Sequence, residues 1–310
     1  MEGATARKTE ERDGGTERTR EQGFVLLVVL WVLSSVVMLV ASFNSTVRSG
    51  TSSAVSEVGL TKLEALLDAG VEVAAAHLID QDKQQRWLGD GRKHSIEFAG
   101  AQLSITVMNA NSLIDLNKSS AALLRAFFLK FTNSKIEASR YTDLILRARR
   151  AASEDGRVDG GNTADRAATD FPSPDAAFID VSQLGRLPGI PRDVFDDVAP
   201  FLTVFSDDGT IYPVTAPIQI LEAIPALGRA DVEKVRHADK STLVGLMGMA
   251  PDFLTYESGT AHLVTVRAHR SNDDYGVART FVIATGVDRD APYRLLAKWP
   301  MTNTAAEKAR

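Results

Sequence analysis

The sequence lacks cysteine altogether: none occurs among its 310 residues. This absence excludes disulfide scaffolds, thiolate metal sites and cysteine nucleophiles. Familiar catalytic patterns are missing as well, because the chain has no Gly-x-Ser-x-Gly, no phosphate-binding loop and no dinucleotide fingerprint. None of the five histidines has the His-x-x-x-His spacing of a metal site. We therefore expect a protein that is not an enzyme and that carries no cofactor.

A surplus of positive charge is also missing. The formal net charge is -5 at pH 7, whereas proteins that bind nucleic acid through its phosphates need clustered Lys and Arg. Hydrophobic residues make up 44% of the chain and charged residues 24%, which are ordinary values for a folded protein. The composition therefore excludes disorder throughout the chain, and the length predicts more than one folded unit.

One long apolar run is present, from Phe24 to Phe43, after a polar stretch that ends at Gly23 and contains several arginines. Roughly 20 residues at ~1.5 Å per residue match the ~30 Å hydrocarbon core of a bilayer. The basic residues before the run predict a cytoplasmic N-terminus. Three interpretations fit this segment: an export signal cut near Ser42, an uncleaved anchor, and a membrane helix with a short leader.

A helical pattern continues beyond the apolar run. Apolar residues recur at steps of three and four from Val55 to Ile79, with charged residues between them, and no proline occurs from Ser45 to Ile79. This spacing predicts an amphipathic helix continuous with the membrane span, about 55 residues and about 80 Å long in total. A break into two helices near Gly50 remains the alternative.

Two β-hairpins are predicted on either side of a helical middle segment. The first has alternating apolar residues from Ile96 to Val107, and the second extends from Leu263 to Ala284 around a polar turn. The patterns between the hairpins predict helices, among them 121–131 and 141–150.

Two similar segments occur in the middle of the chain, 182–191 leading into 194–201 and 219–228 leading into 230–237. Each predicts helix, proline turn and helix, with Gly189 or Gly228 as the permissive turn residue. In some proteins such units bind DNA phosphates. Residues 175–245 contain eleven acidic and six basic side chains, so we expect packing or protein-contact modules and no nucleic-acid partner.

The N-terminal residues resemble those of the type IV pilin and pseudopilin class: a basic leader, Gly23, Phe24, an apolar span and an amphipathic helix. The resemblance implies that a prepilin peptidase cuts after Gly23 and methylates Phe24. Most members have Glu at the fifth mature position, where this chain has Val28. The missing Glu is similar to one subtype, the K-type minor pseudopilin (general secretion pathway protein K) of the type II secretion system, which stands at the filament tip.

The rest of the chain is also similar to the K-type pseudopilin, which has a large helical domain inserted between the strands of a pilin-like α/β body. The segment Ile114–Asn117 looks like the strand motif before the insert, and Ile211–Pro217 looks like a degenerate Thr-Ala-Pro motif. The family often binds calcium in the insert. The matching stretch Leu144–Arg150 is basic here, so the sequence does not support a calcium site.

The expected fold class is α+β, with a long N-terminal transmembrane and amphipathic helix, a pilin-like α/β body with an antiparallel sheet, and a large all-helical insert containing two helix-hairpin-helix-like (SAM-like) repeats. The expected parts are a cytoplasmic leader (1–23), a transmembrane segment (24–43), the periplasmic part of the N-terminal helix (44–88), the body (92–117 and 255–290), the insert (118–250) and a C-terminal tail (291–310).

The resemblance implies a minor pseudopilin that forms or initiates the tip of the periplasmic pseudopilus, and a minor pilin of a type IV or DNA-uptake pilus is the alternative. It implies a single-pass protein of the bacterial inner membrane whose bulk is periplasmic. The implied partners are other minor pseudopilins, which would pack on the Val55–Ile79 stripe, the prepilin peptidase, the inner-membrane secretion platform and secreted proteins.

Overall fold

The computed structural model describes residues 28–38, 61–155, 177–235, 240–270, 275–287 and 291–305. The chain divides into two units, residues 1–62 and 63–310. In the first unit, residues 28–38 form a helix whose side chains are all exposed, from Val28 (41%) to Met38 (77%). The described residues contain no helix that is long and apolar enough to cross a membrane. The predicted span 24–43 extends beyond this helix at both ends, and residues 24–27 and 39–43 lie outside the described residues. That prediction therefore stands untested.

The strands of the second unit are β1 Asp90–Phe98, β2 Ala101–Asn109, β3 Ile114–Asp115, β4 Leu202–Thr203, β5 Ala261–Arg270, β6 Tyr275–Thr285, β7 Tyr293–Lys298 and β8 Thr302–Ala305. The main sheet is antiparallel with the strand order β1-β2-β5-β6-β7, and β8 also pairs with β6. Both predicted hairpins are present, as β1–β2 and β5–β6.

The prediction of a C-terminal tail over 291–310 was wrong, because β7 and β8 lie in this stretch and both pair with β6. The strands are short, at six and four residues, and so few positions carry little periodic signal. Backbone pairing with β6, rather than the pattern of their own side chains, identifies them as strands.

One helix, α1, covers one face of the sheet and comprises residues 61–78. The predicted helix over 44–88 therefore ends earlier than expected. The backbone turns immediately afterwards, where the amide of Asp82 donates to the Asp80 carboxylate at 2.9 Å and the amide of Gln84 donates to the Asp82 carboxylate at 2.9 Å. Such side-chain-to-backbone bonds compete with helical ones and favour a turn.

The apolar stripe of α1 packs on the sheet of the same chain. Leu67 and Ala74 are fully buried, and they share a core with Leu103, Ile105 and Val266 of the sheet. The prediction that the whole Val55–Ile79 stripe faces partner subunits was therefore wrong for its described part. Helical spacing shows that one face is buried, but it does not show which chain buries it. Val55 and Val58 lie outside the described residues.

The insert supplies the second core of the unit. Its helices are α2 Ala121–Thr132, α3 Lys135–Asp155, α4 Arg192–Val198, α5 Ile218–Leu221, α6 Arg229–Val235 and α7 Lys240–Met249. The predicted helix over 121–131 is present as α2, and its apolar stripe, which includes Phe127 and Phe128, is fully buried. Ala261 and Val282 of the sheet belong to the same cluster, so this second core contains side chains of both the insert and the sheet.

The insert is not all helical, because β4 forms a short parallel pair with β3. The two helix-hairpin-helix repeats are not confirmed: the first segment opens with a 3-10 helix, Val181–Arg186, and the second opens with the four-residue α5. Gly189 adopts the positive φ (103°) expected of it. In the second turn Ala226 adopts the positive φ (75°), and Gly228 does not. The prediction from the glycine therefore placed this turn two residues too late.

Candidate functional site

The chain leaves the sheet after β2 through residues 109–120, which contact residues 202–217 of the insert; we call these two segments the joint. Both family-like motifs of the sequence lie in the joint. The amide of Tyr212 donates to the carbonyl of Asn111 at 2.7 Å, and the hydroxyls of Ser112 and Thr215 are hydrogen-bonded to each other. The motifs are separated by about a hundred residues in sequence, and the fold joins them where the insert meets the sheet.

Asp115 lies at the centre of the joint and is fully buried. One of its carboxylate oxygens accepts the amides of Asn117 at 2.7 Å and Lys118 at 2.8 Å, and the other accepts the amide of Ser206 at 3.0 Å. Burial raises the pKa of Asp115, and the three amide bonds oppose that shift. The carboxylate therefore holds β3 against the loop after β4 by accepting three backbone amides, of which that of Ser206 is fully buried.

A guanidinium from α3 completes this polar cluster. Arg149 donates to the carbonyl oxygens of Leu116 at 2.7 Å, Ser119 at 2.8 Å and Asp115 at 3.3 Å. Burial lowers the pKa of Arg149, and the Asp115 charge opposes that shift. The basic stretch that matches the family's calcium segment thus supplies a cation that satisfies backbone carbonyls. The described part of the chain contains no group of three or more His, Asp or Glu that could hold a metal ion.

Gly209 brings the insert loop into direct backbone contact with residues 118–119. Its φ is +80°, and a Cβ on it would lie 2.4 Å from the carbonyl carbon of Lys118. Its carbonyl accepts the hydroxyl of Ser119 at 3.0 Å, and its amide donates to the hydroxyl of Ser206 at 3.1 Å. The turn at residues 207–209 is therefore also a packing contact that only glycine fits.

A buried histidine fixes the return of the chain from the insert to β5. His262 accepts from the Asn109 side-chain amide through Nε2 at 3.1 Å and donates from Nδ1 to the Thr260 carbonyl at 3.0 Å. These partners assign the neutral tautomer with the proton on Nδ1. Burial lowers the pKa of His262 to about 4. The imidazole is thus a neutral hydrogen-bonding bridge between β2 and β5.

Stability should fall on acidification because of His262. Its folded pKa lies below the ordinary value of 6.5, so its stabilising effect is complete above that value and is lost as the pH falls toward 4. From about pH 7.5 to 5 the loss should be ~2 kcal/mol of unfolding free energy. Urea unfolding at the two pH values measures it. The variant His262→Gln should show a correspondingly weaker pH dependence, and an equal dependence in both proteins would contradict this account.

Three acidic side chains on α1, spaced four residues apart, bind the sheet beside the buried stripe. Glu64 pairs with Arg279 at 3.0 Å, and Asp68 pairs with Lys298 at 3.0 Å. The hydroxyl of Tyr293 donates to Glu72 at 2.7 Å. Desolvation, together with the Glu72 carboxylate, raises the pKa of Tyr293 to about 12. The row contacts β6 and β7, and its spacing is visible in the sequence.

The residues predicted for peptidase processing are not part of this geometry. Gly23 and Phe24 lie outside the described residues, and their role stays a prediction. Val28 is the first described residue of the helix over 28–38, and its side chain is exposed. The hydroxyls of Ser34 and Ser35 donate to the carbonyls four residues before them at 2.8 and 2.9 Å, so the two polar side chains of this helix are satisfied within it.

Comparisons with known proteins bear on the fold. No protein-family model matches the sequence, and no curated protein matches it significantly. Among solved structures, a similar chain belongs to the crystal structure of the GspK-GspI-GspJ complex from the type 2 secretion system of enterotoxigenic Escherichia coli. The two chains are 14% identical with a TM-score of 0.50, and the alignment covers 82% of this chain and 99% of that one. The chain therefore has a GspK-like α+β fold, as the resemblance to the K-type pseudopilin predicts.

Proposed function

We propose that this protein is a minor pseudopilin of a type 2 secretion system and that it forms or initiates the tip of the pseudopilus. One observation carries the proposal. A helical insert lies between β2 and β5 of an antiparallel sheet covered by α1, in a fold similar to that of a chain from the GspK-GspI-GspJ complex. Such a role is structural, and no catalytic step is assigned to the chain.

Two features of the chain support the tip position. The insert is large, so it allows subunits below this one in a filament and leaves no room for one above. Val28 provides no carboxylate for the amino terminus of a neighbouring subunit, and a terminal subunit has no such neighbour to bind. An unpaired carboxylate in lipid costs several kcal/mol, so valine suits a position without that partner.

The proposed location is the bacterial inner membrane, with a single span, a cytoplasmic N-terminus and a periplasmic bulk. The exposed apolar side chains of the helix over 28–38 support this location, because they need lipid or partner helices around them. The proposed partners are other minor pseudopilins, corresponding to the other chains of the similar complex, together with the prepilin peptidase, the secretion platform and secreted substrates.

Processing by a prepilin peptidase is the first test. The intact mass of the membrane-extracted protein, produced with and without the peptidase, should show loss of residues 1–23 and up to one added methyl group. A substitution of Gly23 by Val should block the cut and serves as the control. No cut, or a cut near Ser42, would place the apolar run among anchors or export signals and overturn the pseudopilin assignment.

A deletion strain separates secretion from pilus function. Loss of the protein should reduce secretion through the type 2 system and leave piliation and DNA uptake unchanged. The variant Val28→Glu, tested in the same strain, should disturb assembly at the tip without affecting folding of the second unit. Normal secretion in the deletion strain, combined with loss of piliation or DNA uptake, would favour the minor-pilin alternative.

A further inference from the structure

Three aromatic rings from adjoining parts of the chain form one stack at the end of α1. The indole of Trp87 lies parallel to the imidazole of His77, with centroids 4.5 Å apart and planes at 5°. It lies parallel to the imidazole of His94 as well, at 3.9 Å and 7°. Two imidazoles on one face of the indole would overlap at these distances, so they cover its opposite faces. His77 belongs to α1 and His94 to β1, and the 79–89 loop that carries Trp87 is held between them.

Hydrogen bonds within the loop reinforce the stack. Nδ1 of His77 donates to the carbonyl of Gln85 at 3.0 Å, and the amide of Trp87 donates to the carbonyl of His77 at 3.1 Å. A cavity of about 360 Å³ adjoins the rings and is also lined by Arg86 and Leu88. The rings are only partly buried, so protons and water reach the imidazoles without unfolding of the core.

Charged side chains of both signs lie around the stack, and those of β1 that act on His94 are Asp90 and Arg92. Burial lowers the pKa of His94, the Asp90 carboxylate opposes that shift, and His77 and Arg92 lower the pKa further. Asp90 is itself paired with Arg92 at 3.0 Å. From β2, the residue opposite His94 is Ile105, which is apolar. Among the described neighbours that act on His94, Asp90 therefore provides the only negative charge, and the ion pair with Arg92 partly neutralises that charge.

We propose that His77, Trp87 and His94 form a pH-sensitive latch that closes the 79–89 loop over the end of α1 at neutral pH and releases it in mild acid. Protonation of His94 places a cation in a partly buried ring stack, where Arg92 repels it. Histidine changes charge between pH 5 and 8, so this protonation falls within a range that cells and their compartments reach.

The sign of the effect follows from the lowered pKa of His94. The stabilising contribution of the stack is complete above the ordinary histidine value of about 6.5 and is lost as the pH falls below it. Release would expose Trp87, which is now half-buried, at the end of α1. The latch would thereby couple proton concentration to the connection between α1 and the sheet.

The test uses the detergent-solubilised full chain, titrated from about pH 8 to 5. The emission of Trp87 is obtained as the difference between the wild type and Trp87→Phe. Hydrogen exchange, corrected for its intrinsic pH dependence, reports on the loop. We expect quenched and red-shifted Trp87 emission in acid, with about tenfold loss of protection confined to residues 79–89. Emission that stays unchanged over this range, or protection that falls evenly through the second unit, would overturn the latch.

Phenylalanine substitutions separate protonation from stacking. The double variant His77→Phe/His94→Phe keeps three stacked rings but has no proton to gain, so its Trp87 emission should be independent of pH in this range. His269→Phe is the matched control, because His269 bonds Gln102 and is not part of the stack. It should keep the wild-type midpoint. An unchanged transition in the double variant would refute the proposal, and if that variant does not fold, the wild-type exchange data decide alone.

Discussion

Gly209→Ala should lower the free energy of unfolding by about 3–4 kcal/mol. The left-handed backbone at φ +80° costs an alanine about 1–2 kcal/mol. The new methyl group would also lie 2.4–2.6 Å from three backbone atoms of Lys118 and Ser119. Backbone cannot rotate away as a flexible side chain can, so overpacking adds ~1–3 kcal/mol. Urea unfolding followed by circular dichroism measures the loss.

Gly100→Ala is the matched control for this prediction. Gly100 has nearly the same backbone conformation, with φ +74°, but no atom beyond its chain neighbours lies within 4 Å of the position that the methyl group would take. Its substitution should cost only the strain of the backbone, about 1–2 kcal/mol. Equal losses in the two variants would show that the 118–119 and 209 segments are not in tight contact, and the joint as described would be incorrect.

Asp115→Ala should cost about 3 kcal/mol or more. The change removes the acceptor of the Asn117, Lys118 and Ser206 amides, of which that of Ser206 is fully buried and the other two are partly buried. An unsatisfied buried donor costs ~1–3 kcal/mol, and local rearrangement recovers part of the sum. Because the joint fastens the insert to the sheet, hydrogen exchange should increase in β3, β4 and the loop through residue 209 before it increases in the hairpins.

Asp115→Asn tests whether the charge or the acceptor is important. The asparagine oxygen can keep the hydrogen bonds from Asn117 and Lys118. The Ser206 amide would then face the NH2 group of the asparagine and would lose its acceptor. Burial raises the pKa of Asp115, so a neutral side chain also avoids desolvation of the charge. We expect a loss of about 1 kcal/mol. A loss as large as that of alanine would mean that the negative charge, through Arg149, stabilises the joint.

Local patterns in the sequence predicted those parts of the fold that depend on local spacing. Alternation identified the β1–β2 and β5–β6 hairpins, because each strand buries one face along its length. The helix over 121–131 was predicted from its apolar spacing and is present as α2. Its N-terminus is capped by Ser120, whose hydroxyl accepts the amide of Leu123 at 3.2 Å.

Features that depend on contacts distant in sequence were not predictable in the same way. The stripe on α1 gave no indication that its partner is the chain's own sheet. Arg149 lies in a basic run that looks solvated, yet it donates to three carbonyls of residues 115–119. His262 likewise carried no sequence signal for burial. Its bridge requires that the ends of β2 and β5 lie side by side, which the hairpin patterns do not specify.

The functional prediction depends on two kinds of support. The GspK-like fold was anticipated from the arrangement of strands around a helical middle and is confirmed by the structural comparison. The processing residues Gly23 and Phe24 depend on the N-terminal pattern alone. The role of Val28 as a marker of the tip position also stays a prediction, because an exposed valine on a helix is compatible with any membrane or filament setting.

Association with partner pseudopilins tests the central claim most directly. The full chain should be mixed with the I-type and J-type minor pseudopilins of the same source, and the mass of the complex should be determined by light scattering after size-exclusion chromatography. The proposed function predicts a stable complex that contains all three chains. A complex of the other two that excludes this chain at micromolar concentrations would contradict the proposal that it is the K-type subunit.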